Sequence, residues 1–463
     1  MRGLGLCQRL VERALAMGAD GAEVFYRKAR TLEAVFEKND LQVPKGDAYE
    51  GIGIRVTRTG GSGASGTGRA HCARGANGAK QGFAATNILS DEALDDSLRA
   101  AMAIAEASPE DPNVWLPQPS PVYAVPGLCD DSAYGITLRD ALEQGRAFVD
   151  SARGYDPRVT VDSASYSVEL AEKAIASSTG IGLSERRTTF SCVGMGFAVD
   201  GESMSSFDLE VAASCRKDGI DPAAAGRRLG EKVVASLGAS TAPGFKGSVI
   251  ITPYAAMDLI IEPVLFSVNA ENVQGGRSRW KGMLGSVVAS PLLSIVDDPG
   301  MPGGVSSTSF DREGTPPRAL EIVKDGVLGS YLHNCRTARK DGVASNGHAA
   351  GGDENLPEVG PTNVIIASGR TPLSDMIRNC SKALIVNRFS GNVDPVSGDF
   401  SGVVKGGQYI AAGAVVCPVK EAMIAGNIYE LLKQVVDLSK ETLAIAEFTV
   451  PYIQLDGCSV TGK

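Results

Sequence analysis

Histidine is scarce in this chain: its 463 residues include only His71, His333 and His348, and no two of them stand one helical turn apart. HExxH and HExxxH are both absent, which removes the common two-imidazole scaffold of a catalytic zinc. A GxSxG nucleophile elbow is missing too. The nine cysteines (Cys7, Cys72, Cys129, Cys192, Cys215, Cys335, Cys380, Cys417, Cys458) are odd in number, scattered and never in a CxxC pair. They read as reduced, mostly buried thiols of a reducing compartment. No run approaches 18 consecutive apolar residues, so no segment reads as a membrane-spanning helix. Positive charge is also in deficit, with 45 Lys+Arg against 54 Asp+Glu and a net charge of −9. With no basic run flanked by aromatics, neither nucleic acid nor membrane is an expected partner.

What is present is an ordinary globular composition, 43% apolar and 21% charged, long enough for two or three domains with filled cores. Leu4, Cys7, Leu10, Val11 and Leu15 alternate with Arg2, Arg9, Glu12 and Arg13, an amphipathic helix rather than a signal sequence, which predicts a cytoplasmic protein. Runs 22–28 and 31–37 alternate as a strand pair, Gly51 to Arg58 reads as a further strand, and Ser90, Asp91 and Glu92 cap an Ala-rich helix to about Ala107. Six prolines between Pro109 and Pro126 mark a linker. A second unit follows, with helices at 137–153 and 221–237 around strands at 158–167, 186–199 and 206–215, and Gly180-Ile181-Gly182 echoes Gly51-Ile52-Gly53. Pro243 and Gly244 open a third, strand-rich unit with a helix from about Tyr254, strands including 327–333 and 403–411, and a helix at 421–438. Strands and helices do not alternate regularly, so the expected fold class is α+β, with units at 1–107, 127–239 and 245–463.

Several constellations could carry chemistry. Gly61, Gly63 and Gly66 spell GxGxxG after a strand, but no helix follows to meet a phosphate, and a hairpin loop is the simpler reading. Ser278-Arg279-Trp280-Lys281 fits SxxK, a pattern too short to stand alone. His333, Cys335 and His348 are close enough in sequence to invite a zinc site, because a strand would place 333 and 335 on one face. Asp311-Arg312-Glu313-Gly314-Thr315 forms a charged turn, either solvated or an acidic cluster that orients a peptide ammonium or a metal ligand.

A series of motifs spans nearly the whole chain: Gly18-Ala19-Asp20-Gly21-Ala22-Glu23-Val24, Gly51-Ile52-Gly53-Ile54-Arg55-Val56, Gly82-Phe83-Ala84-Ala85-Thr86-Asn87, Gly276-Arg277-Ser278, Val288-Ala289-Ser290, Asp297-Asp298-Pro299, Phe310-Asp311-Arg312-Glu313-Gly314-Thr315-Pro316, Ser397-Gly398-Asp399-Phe400-Ser401-Gly402 and Ile424-Ala425-Gly426-Asn427. In number and order they resemble the TldD/PmbA family. The resemblance implies a peptidase whose catalytic member carries HExxxH on a helix, with a glutamate as general base toward a zinc-bound water and a C-terminal cysteine as a proposed further ligand. Here the motif falls on Ile261-Glu262-Pro263-Val264-Leu265-Phe266, so Ile261 and Phe266 stand where the histidines would and only Glu262 remains. Neither replacement can donate an electron pair to a metal. Cys458, in Leu455-Asp456-Gly457-Cys458, sits in an apolar strand context.

By this resemblance the chain is expected to be the TldE (PmbA) half of a heterodimeric peptidase. It would be without a cofactor of its own, with zinc held by an HExxxH-bearing TldD-like paralogue and with small unfolded peptides as substrates. Without that partner a homodimer is expected. Asp311, Arg312, Glu313, Gly314, Asp399 and Ser401 are the expected peptide or pocket contacts. The alternatives are a stand-alone peptide-tailoring hydrolase using Asp311, Glu313 and His333 or a metal at His333, Cys335 and His348, and a non-catalytic peptide-binding module.

Overall fold

The computed structural model describes residues 2–59 and 78–462. The Gly61, Gly63 and Gly66 loop, His71 and Cys72 lie outside them. The fold is α+β. Its N-terminal half is built on one antiparallel sheet whose central strands are long. Gly21–Glu37 pairs with Lys45–Thr59 on one side and with Val159–Ser177 on the other. Ala79–Thr86, Gly182–Asp200 and Asp208–Ser214 extend the sheet outward. The sheet therefore runs through the boundary between the first two expected units. Each half repeats one order: a helix, three principal strands, a helix.

One correction concerns the expected strand pair at 22–28 and 31–37, which is a single strand. Its even-numbered side chains face one side throughout. Ala22, Val24 and Tyr26 pack under the helices Arg2–Ala16 and Asp91–Ala107, while Leu32, Ala34 and Phe36 pack under Leu138–Tyr155 and Pro222–Ala235. Lys28 and Arg30 fall between the two cores and stay exposed. Two charged residues at core-phase positions look like a turn in sequence, but the ladder hydrogen bonds continue through them.

The opposite face of the sheet is where the C-terminal half docks. Phe25, Ile175 and Ile181 close on Phe310 there. In the C-terminal half the long strand Phe448–Thr461 is central. It pairs antiparallel with Phe245–Ile251, Val435–Ile445 and Met423–Asn427, and parallel with Val364–Ile366. Three further expectations fail here. The expected helix at 421–438 is broken: Met423–Asn427 and the start of Val435–Ile445 are strand, and only Ile428–Leu431 and the 3-10 turn Leu432–Gln434 between them are helical. The run 403–411 is two strands, Asp399–Lys405 and Gln408–Ala411. The run 327–333 is a strand at Val327–Leu328, with one isolated bridge from Leu332 to Asn269 beyond it.

The segment 108–126 is irregular but anchored. Val114 and Leu116 are buried, and the Trp115 indole N–H donates to the Cys335 carbonyl at 2.9 Å. No helix among the described residues is long and apolar enough to cross a membrane.

Candidate functional site

Thr252 caps the first turn of the helix that carries the motif positions, accepting from the Ala255 amide at 3.4 Å, with Pro253 at the first helical position. The helix then widens over Met257–Ile261, where the Glu262 amide reaches back five residues to the Met257 carbonyl. Pro263 explains the widening. Its ring would strike the carbonyl four residues earlier and it has no amide to donate, and an inserted wide turn relieves both faults. Regular helix resumes over Glu262–Val268.

One face of this helix is buried in the C-terminal core through Leu259, Ile260, Val264 and Val268. The other lines a cleft of about 500 Å³. Asp258, Ile261, Glu262, Leu265 and Phe266 form one wall, with Leu332, Val359, Gly360, Pro361 and Phe448 opposite. Asp258 and Glu262 are exposed at the rim. Partial burial, and after it the neighbouring Glu262 charge, raise the Asp258 carboxyl above its ordinary value. Ile261 and Phe266 both reach the cleft, so the positions that would carry imidazoles face the space a zinc would need and offer no lone pair. The residues present do not fit a zinc ion.

The charged turn is not solvated: Asp311, Arg312 and Glu313 are all buried. Glu23, on the strand Gly21–Glu37, accepts from Arg55 at 2.5 Å and from Arg312 at 3.0 Å. Arg55 also reaches Glu313 at 3.1 Å. Glu313 in turn accepts from the Cys335 amide at 2.7 Å, and the Arg312 guanidinium lies over the Phe25 ring at 4.1 Å. Asp311 ties the turn together, accepting from the amides of Glu313, Thr315 and Ala349 at 2.9, 2.8 and 3.1 Å. Burial, then the Glu313 charge, outweigh those amides and hold its carboxyl up to about 7. Gly314 completes the turn at φ +78°, a conformation open to glycine. The turn thus joins the N-terminal sheet to the C-terminal half.

In the sequence Glu23 and Arg55 stand out only as motif members, and Lys173, Glu185 and Arg187 not at all. Lys173 donates to the Phe310 carbonyl at 2.8 Å, Arg187 to the Val305 carbonyl at 2.9 Å, and Glu185 accepts from the Ser309 amide at 2.7 Å. Their signal was a charged residue at an inward-facing strand position.

The three metal-candidate residues are placed differently from expectation. Cys335 is not on a strand with His333. It opens the short helix Cys335–Asp341, capped by Asn334, because the Asn side chain captures the Thr337 amide at 2.9 Å. Burial raises the Cys335 thiol well above its ordinary value, and its neighbour is Thr315 at 3.7 Å. His333 faces Thr337 at 3.2 Å, and burial lowers its pKa. His348 contacts Asn346 through Nδ1 at 3.1 Å, while its Nε2 stands 3.4 Å from Asp297. Among the described residues no three His, Cys, Asp or Glu side chains converge to hold a metal. Cys458 is buried within the central strand, and burial raises its thiol to about 11.

Asp399 and Ser401 do not join the Asp311 cluster. Both are exposed on the strand Asp399–Lys405, where Asp399 accepts from Asn427 at 2.8 Å and Ser401 pairs with Asn392 and Ala425. The adjacent turn leans on the motif helix instead, because Gly398 abuts the Tyr429 ring and the Tyr429 hydroxyl meets Ser267 at 2.6 Å.

Three family models cover most of the chain: PmbA/TldA metallopeptidase domain 1 matches residues 22–105, the central domain 133–237 and the C-terminal domain 245–462. The chain belongs to the PmbA/TldD family. The metalloprotease PmbA homologue of Haemophilus influenzae is 27% identical over 397 residues, covering 83% of this chain and 84% of that protein. An uncharacterised Methanocaldococcus jannaschii protein is 28% identical over 291 residues, 61% of this chain and 66% of that one. For two archaeal metalloproteases the match spans 46% and 58% of their length. The solved structure of TldE from Thermococcus kodakarensis superposes with a TM-score of 0.84 at 20% identity, over 98% of this chain and 99% of that one, a likeness of fold.

Proposed function

We propose that this PmbA/TldD-family chain is a TldE-like, metal-free subunit of a cytoplasmic two-subunit peptidase. An HExxxH-bearing paralogue supplies the zinc and the hydrolytic step, and small unfolded peptides are the substrate. The single observation that carries this reading is the motif helix. Ile261, Glu262 and Phe266 line the 500 Å³ cleft, and the side chains of two of the three hold no atom able to bind a metal. A lone glutamate without an activated water cannot run the hydrolysis of a zinc peptidase.

The family match supports the metallopeptidase context, and the fold shared with a TldE structure supports the choice of subunit. In this reading the cleft contributes a wall that receives extended chain beside the partner's active site. When no partner is present, the same surfaces pair two copies of the chain.

The test is to mix the purified chain with its HExxxH-bearing paralogue and follow both co-elution on size exclusion and cleavage of an unfolded peptide. The expected result is a mixed complex with cleavage well above that of the paralogue alone, and none by this chain alone. Unchanged cleavage on mixing, with no mixed complex, would overturn the proposal.

A further inference from the structure

The cleft beside the motif helix lacks the two imidazoles of a zinc site but not chemistry. Its floor and far wall are apolar: Leu265, Phe266, Leu332, Pro361 and Phe448 present hydrocarbon to a space of about 500 Å³, large enough for an aromatic or branched aliphatic side chain. The charges in its lining are of one sign. Asp258 and Glu262 are the ionisable residues of that lining. They stand four positions apart, one turn of the widened helix, and so share its cleft-facing side. The cation that influences Asp258, Arg388, is not part of the lining and donates to the Phe207 carbonyl at 3.0 Å. Partial burial, and after it the acidic neighbour Glu262, raise the Asp258 carboxyl, and an incoming cation would relieve the repulsion between the two.

The walls are held in place. Asn269 donates to the Val359 carbonyl at 3.0 Å, fixing the helix to the opposite wall, and Asn272 donates to the Phe266 carbonyl at 3.0 Å, fixing the turn that presents the Phe266 ring. Both carboxylates reach solvent at the rim, where a partner of opposite sign is drawn in before the contact closes.

We propose that this cleft is a side-chain recognition pocket of the chain's own, selecting from an unfolded peptide an apolar residue, aromatic or branched aliphatic, adjacent to a cationic one. The apolar side chain fills the space between Leu265, Phe266 and Phe448, and the lysine or arginine beside it meets Asp258 and Glu262 at the rim. The inference deepens the proposed function and rests on its reading of the chain as a peptide-handling subunit. In that frame the position given up by the zinc ligands sets which peptides are presented.

The experiment uses the full chain alone and three fluorescein-labelled pentapeptides, Gly-Phe-Lys-Gly-Gly, Gly-Phe-Glu-Gly-Gly and Gly-Ala-Lys-Gly-Gly, with anisotropy as the readout. The first should bind at least tenfold more tightly than either of the others. In the chain carrying Asp258→Asn and Glu262→Gln, both at exposed positions, the Lys-over-Glu preference should shrink to within threefold while the Phe-over-Ala preference persists. Phe266→Ala should do the converse. Equal binding of the Lys and Glu peptides, an unchanged preference in the double variant, or no binding of any of the three would overturn the inference. Cleavage by the mixed complex is a separate readout, so failure of the pocket and failure of the subunit reading are distinguishable.

Discussion

Arg55 and Glu313 are 258 positions apart in the chain and form a buried 3.1 Å ion pair. Each has a second tie, Arg55 to Glu23 and Glu313 to the Cys335 amide. Two arginines and two glutamates thus close a buried network between the N-terminal sheet and the C-terminal half, and its strength comes from having each charge met.

Removing one member leaves the others buried and unmatched. Arg55→Met, which keeps the apolar stem but not the guanidinium, should cost about 3–5 kcal/mol of stability. The check is the midpoint of urea unfolding at neutral pH. A loss below about 1 kcal/mol, the value of an exposed pair, would show that the network is solvated.

Asp311 should leave a signature in pH. Its folded carboxyl sits at about 7, above the unfolded value of about 3.9. In that window the folded chain binds a proton that the unfolded chain has released. The contribution is therefore fully present below the unfolded pKa and is lost as pH rises through about 7. The stability difference between the native chain and Asp311→Asn should shift in favour of the variant from pH 4 to pH 8. Unfolding midpoints of the two proteins across that range test it, and a pH-independent difference would contradict it.

Gly314 turns at φ +78°, and a Cβ there would stand 2.8 Å from the Ile181 side chain. Gly314→Ala meets both backbone strain and a clash, and should lose about 1–3 kcal/mol. Thermal unfolding measures this. A shortened side chain at Ile181 should recover only the clash, because the backbone strain remains.

Thiol chemistry reports on the core. Cys7, Cys192, Cys215, Cys335, Cys380 and Cys458 are buried, whereas Cys129 and Cys417 are partly exposed. In a Cys72→Ser chain at pH 8, a thiol reagent should modify Cys129 and Cys417 promptly and the six buried thiols only on unfolding. Mass mapping of the labelled sites checks the assignment.

Much of the fold was legible where local signals agree with the tertiary outcome. Ser90 caps the helix Asp91–Ala107 through the Ala93 amide as its position suggests, and Pro222 opens the helix Pro222–Ala235 at its expected place. The failures have physical causes. Lys28 and Arg30 interrupt the apolar phase of a strand that tertiary pairing carries straight through. The stretch 421–438 reads as a helix, but from Val435 onward the chain pairs antiparallel with Phe448–Thr461, through two register shifts, and the strand wins. At Asn334 a capping interaction starts a helix where alternation suggested strand.

The site was legible in part. The motif positions Ile261, Glu262 and Phe266 share one cleft, and Asp311, Arg312 and Glu313 share one network. That the second group is a buried bridge, with Asp311 and Arg312 lining one cavity and Glu313 another, depends on Glu23 and Arg55, hundreds of residues away in sequence, and no local pattern announces such a contact. Asp258 was missed because a single acidic residue on a helix reads as a solvated charge until the cleft it faces is known.

A TldE-like subunit of the proposed kind brings no catalytic metal of its own. The most direct measurement is the zinc content of the untagged chain after dialysis, by inductively coupled plasma mass spectrometry. Zinc should be far below stoichiometric, because Ile261 and Phe266 face the cleft and no group of three or more His, Cys, Asp or Glu among the described residues could hold a metal. About one tightly held zinc per chain would contradict it, since a structural or catalytic zinc needs three or four donors.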